Sequence, residues 1–97
     1  DSIERSGRPP EIVSPASGRI YALRPGDPSS AGIVLQARSE ADVARVYWFQ
    51  GKTFLGAAGP RESLTWRPMP GLHRIVALDD HGRSSSSTVT MQSTEMQ

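Results

Sequence analysis

The sequence contains no cysteine, which excludes a disulfide framework and thiolate chemistry alike. Lys52 is its only lysine, so arginine carries nearly all of its positive charge. No apolar run approaches the ~18 residues of a membrane-spanning helix, and no secretory signal opens the chain. Neither sign of charge dominates: the formal net charge is +1, too small to draw the chain to nucleic acid or anionic lipid. The arginines at positions 5, 8, 19, 24, 38, 45, 61, 67, 74 and 83 are dispersed, whereas a nucleic-acid reader shows a basic stripe or a recognisable motif. Apolar content is also low, at 36%, which suits a thin sandwich of short strands better than a helix bundle. The first residue is Asp1 rather than Met, and we read the chain as a piece of a longer protein.

What is present is turn chemistry. Nine glycines and eight prolines punctuate 97 residues, a length that suits one domain with one modest core. Residues 1–9 are polar and lack periodicity, and read as linker. Residues 11–14 form a short strand closed by Pro15, and residues 19–23 a second piece of the same edge, where flanking prolines are tolerated. Residues 24–30 are a loop. Residues 32–38 alternate, with Ile33, Leu35 and Ala37 on one face and Gln36 and Arg38 on the other. Residues 39–42 are a polar connection too short to nucleate a helix. Residues 44–50 are the most β-prone stretch, with aromatic and β-branched side chains together. Gly51 turns the chain into a return strand over 52–56. A short strand at 62–66 ends at a Pro-x-Pro-Gly corner. The strands at 72–79 and 84–91 form a last hairpin around Asp80-His81-Gly82, and the tail from Gln92 frays. About seven strands with turns every 8–12 residues describe an all-β, immunoglobulin-like sandwich.

Several of these segments, taken in order, resemble the C-terminal domain of the penicillin-binding protein C family. Pro10-Glu-Ile-Val-Ser-Pro15 and Gly18-Arg-Ile-Tyr-Ala-Leu23 are similar to that domain's opening. Val46-Tyr-Trp-Phe-Gln-Gly51 resembles its central strand and turn. Trp66-Arg-Pro-Met-Pro-Gly-Leu-His73 and Asp79-Asp-His-Gly-Arg83 resemble its closing segment. The likeness runs over about residues 10–91. It implies a periplasmic accessory domain that follows the glycosyltransferase and transpeptidase domains of a bifunctional peptidoglycan synthase, itself anchored in the bacterial inner membrane. It does not imply activity in this chain.

The residues agree with that. Penicillin-binding catalysis needs Ser-x-x-Lys, Ser-x-Asn and Lys-Thr-Gly. The sequence has no asparagine, Lys52-Thr53 is followed by Phe54, and Phe49 rather than serine stands three residues before Lys52. Two histidines, His73 and His81, fall short of a metal site's three or four ligands. His81 lies in a turn. His73 starts a strand where related sandwiches place an aromatic whose polar tip caps a backbone group. A Ser-His-Asp site drawn from 84–87, His81 and Asp79 or Asp80 is disfavoured, because neighbours in one hairpin point to opposite faces. No two carboxylates are cued to converge. No cofactor or metal is expected.

Trp48 and Trp66 invite a carbohydrate platform, but immunoglobulin-like domains bury a tryptophan at the position of Trp48, and both are expected in the core. Strand parity then has a consequence. With Val46 and Trp48 inward, Arg45, Tyr47 and Phe49 point out; with His73, Ile75 and Ala77 inward, Arg74, Val76 and Leu78 point out. On neighbouring strands these six residues make an outer face of apolar groups beside arginines, the composition of a covered surface. The expected function is a non-catalytic accessory module docking through this face on other domains of the parent synthase or on an envelope protein. A carbohydrate- or peptidoglycan-binding module and a spacer without a ligand are the alternatives.

Overall fold

The structure, a computed structural model, describes residues 7–23 and 32–93. The loop read at 24–30, the first six residues of the linker and most of the tail therefore lie outside the described residues. Eight strands follow one another: β1 (Glu11–Ser14), β2 (Ile20–Leu23), β3 (Ile33–Arg38), β4 (Val46–Gln50), β5 (Thr53–Ala58), β6 (Leu64–Trp66), β7 (Gly71–Asp79) and β8 (Ser84–Ser93). They form a three-stranded sheet, β1-β3-β6, and a five-stranded sheet, β2-β8-β7-β4-β5. The described residues contain no helix, hence none long and apolar enough to cross a membrane.

The immunoglobulin-like sandwich read from sequence is the observed architecture, with eight strands rather than about seven. The difference lies at the first edge. The segments read as two pieces of one edge belong to different sheets: β1 pairs antiparallel with β3, and β2 pairs parallel with β8. Proline at position 15 cannot donate to a ladder, so β1 stops there and the chain crosses. Two serines of β8 tie down the two ends of β1, and Ser87 holds the crossing. Ser87 Oγ donates to the carbonyl of Pro15 at 2.7 Å, and Ser85 Oγ donates to that of Pro10. The turn continues the tie, with Gly18 N–H bonded to the Thr88 carbonyl at 2.7 Å. Smaller differences are a β4 that starts at Val46, a β5 that runs on to Ala58, and a β8 that extends to Ser93, past the expected fraying point.

Alternation builds the core. Leu35 and Ala37 of β3, Val46 and Trp48 of β4, Ile75 and Ala77 of β7, Val89 and Met91 of β8, and Trp66 of β6 are all buried. Trp48 lies between Gly56 and Ala77 as cross-strand neighbours, and these small residues leave room for its indole. At Gly56 the backbone has φ 155° and a Cβ would stand 3.0 Å from Leu64 of the facing sheet. Gln50 faces inward and its Oε1 accepts the Trp66 indole N–H at 3.0 Å. His73 meets the Trp66 ring edge-on at 5.4 Å, and its Nε2–H caps the Met69 carbonyl at 2.7 Å.

Candidate functional site

The outer face of the five-stranded sheet follows from register. Between β4 and β7, Tyr47 stands beside Leu78 and Phe49 beside Val76. On the other side of β4, Tyr47 neighbours Ala57 and Phe49 neighbours Phe54. The Phe49 and Phe54 rings lie 5.4 Å apart, tilted by 57°. Tyr47, Phe49, Val76 and Leu78 are half-buried, and Phe54 is 56% exposed. Arg45, exposed one residue before β4, and Arg74, exposed on β7, stand at opposite ends of this tract. The arrangement is an apolar centre with a guanidinium at each end. Beyond it, β8 presents Ser84, Ser86, Thr88 and Thr90 beside Leu78, Val76, Arg74 and Leu72.

Register sets Tyr47, Phe49, Arg74, Val76 and Leu78 on one side of the sheet, Arg45 precedes β4 as an exposed residue, and further residues join them. Phe54 was legible: in a hairpin whose turn is Gly51-Lys52, Gln50 pairs Thr53, so Phe49 must oppose Phe54. Leu72, 71% exposed, follows from the alternation of β7. Ile20, 63% exposed, does not: it joins the face only because β2 pairs with β8, setting Ile20 beside Thr90 and Thr90 beside Leu72. Such a pairing between distant segments has no local signal.

A polar clasp fixes the end of the face that carries Arg45. The buried Asp79 carboxylate accepts the backbone N–H groups of His81 and Arg83, each at 2.9 Å, and Arg83 Nε at 2.7 Å. Burial pushes this carboxyl up, but the backbone donors and the guanidinium outweigh it and hold it below its ordinary value. Arg83 also donates to Asp42 at 2.9 Å, and that bond keeps the Asp42 carboxyl low. His81 Nε2–H donates to the Asp42 carbonyl at 2.8 Å, which raises the imidazole above its usual value. Asp80 accepts the Ala44 N–H at 3.2 Å. The 80–82 turn therefore grips the segment leading into β4.

The hydrogen bonds of the clasp tie the turn to its own fold. His81 is bonded to a carbonyl and not to a serine. Ser85 and Ser87 are bonded to the carbonyls of Pro10 and Pro15, on either side of β1. Among the described residues, no three His, Cys, Asp or Glu side chains converge on a point suited to a metal ion. Both tryptophans are buried, Trp48 at 1% and Trp66 at 4% exposure, so neither presents a stacking face.

Comparison with known proteins bears on family and fold. The sequence profile of the penicillin-binding protein C-terminus family matches residues 1–91. No curated protein matches the chain. Among solved structures, the fibronectin(III)-like modules of Clostridium thermocellum CbhA are similar in fold. The match has a TM-score of 0.67 and 16% sequence identity, and it covers 91% of this chain and 99% of that one.

Proposed function

The chain belongs to the penicillin-binding protein C-terminus family, and from that premise we propose that it is a non-catalytic accessory module of a periplasmic peptidoglycan synthase. Its outer five-stranded face docks on the synthase's other domains or on an envelope protein. One observation carries the reading: the tract Tyr47/Leu78 and Phe49/Val76, widened by the exposed Phe54 and bracketed by Arg45 and Arg74. An apolar centre with a charged rim is the usual anatomy of a protein interface, and aromatic residues and arginine dominate its hot spots. A glycan platform is less well supported, since the tryptophans are buried and the two phenylalanine rings are not coplanar. A spacer has no use for such a face.

The test is the double variant Tyr47→Ser/Phe49→Ser, titrated calorimetrically against the synthase domains and against envelope extracts fractionated to single partners. Docking predicts a folded variant whose affinity drops by about tenfold or more, the factor equivalent to ~1.4 kcal/mol. A folded variant that binds with native affinity would place docking on another surface, and a native chain that binds none of these partners would support the spacer instead.

A further inference from the structure

The other sheet holds a second feature. β1 pairs with β3 out to Arg38, whereas β6 pairs with β3 only over Ile33, Val34 and Leu35. On the β6 side, the β3 edge over residues 36–38 has no strand partner among the described residues. The chain arriving from β5 passes this edge through Pro60 and Arg61 without pairing. Beside this edge opens a cavity of about 580 Å³, lined by Gln36, Arg38, Ser39, Val43, Pro60 and Arg61, with Glu40 at its wall, and it reaches across β3 to Val13 of β1. That volume is in the range of small-ligand sites, about 300–1,000 Å³.

Three properties specify an occupant. An unpaired strand edge presents main-chain donors and acceptors that suit another peptide backbone. The charged lining side chains, Arg38, Arg61 and Glu40, sum to one positive charge. Arg38 meets Glu11 only at 3.4 Å with both side chains largely exposed, so that pair is weak and its guanidinium can turn to a stronger anion. Finally, Ser39 Oγ is buried without a hydrogen-bond partner among the described residues. An unmet hydroxyl is costly, and a ligand acceptor reached by rotation about χ1 would satisfy it.

We propose that this cavity binds a short extended peptide bearing a carboxylate. The peptide backbone lies along the free β3 edge, and the carboxylate is held by Arg61 and Arg38, whose planar guanidinium groups match its geometry. The site is independent of the docking face, being on the opposite sheet.

The experiment is an amide chemical-shift titration of the whole chain with three probes: acetyl-Ala-Ala with a free C-terminal carboxylate, acetyl-Asp-Ala-amide, and acetyl-Ala-Ala-amide. Saturable shifts over residues 36–41 and 59–62 with either acidic peptide support the site. Whichever binds more tightly tells whether a chain end or an acidic side chain is the source. The neutral peptide should bind about tenfold more weakly, as should the acidic one to Arg61→Ala, with Arg19→Ala as a control for lost charge elsewhere. Arg61 is exposed in a loop, so its variant keeps the native spectrum. Shifts that do not saturate, equal binding of the neutral peptide, or native affinity in Arg61→Ala would each overturn the proposal.

Discussion

Gln50 Oε1 accepts a 3.0 Å hydrogen bond from the indole N–H of Trp66, and the two residues sit in opposite sheets. The bond staples the sandwich at the end where β4 turns into β5. Trp66 is 4% exposed, so water cannot readily replace its acceptor. Gln50→Leu should leave a buried donor unmet and cost about 1–3 kcal/mol, read by urea unfolding. An unchanged midpoint would mean that the indole finds another acceptor.

Trp48→Ala empties the centre of the core, between Gly56 and Ala77. The expected loss is about 3–5 kcal/mol, enough to consume much of the stability of a domain this size. Collapse of NMR dispersion or failed expression is the expected outcome. A loss below about 1 kcal/mol would contradict the observed burial.

Tyr47→Ser/Phe49→Ser should behave differently. These side chains are half-buried on the outer face, so the pair should cost less than Trp48→Ala and leave a cooperative melt. A loss above about 4 kcal/mol would make them core residues and defeat the docking face.

The clasp predicts a pH profile. Asp79 and Asp42 have folded values below the ordinary carboxylate range, so the stability they contribute is present above the unfolded value, near ~4, and lost as pH falls through the folded one. His81 is raised, so its contribution is full below ~6.5 and fades as pH rises through its folded value. Stability should therefore peak between about pH 4.5 and 6.5. Asp79→Asn should flatten the acid limb and His81→Gln the neutral limb. An acid limb that survives in Asp79→Asn would assign it to other carboxylates.

Incubation with a fluorescent β-lactam should leave the chain unlabelled. The penicillin-reactive elements are missing from the sequence, and Ser85 and Ser87 are committed to carbonyls. Stoichiometric acylation of any serine would end the non-catalytic reading.

Sequence alone determined what depends on near neighbours in the chain. Alternation set which side of β4 and β7 faces the core, and hence the burial of Trp48 and the outward placement of Tyr47, Phe49, Val76 and Leu78. The glycine turn at 51 set the hairpin register, and the family likeness followed from ordered motifs. Tertiary structure decided what depends on distant segments meeting. Residues 11–14 and 19–23 look alike as edge strands, and only pairing with β3 or β8 separates them into different sheets. The crossing between them is held by the bond from Ser87 Oγ to the Pro15 carbonyl, 72 residues apart in the chain. The cavity beside Arg61 has the same origin: it exists because β6 stops pairing before β3 does. A periodic pattern reports which face a side chain takes, but it carries no information about where a partner strand ends.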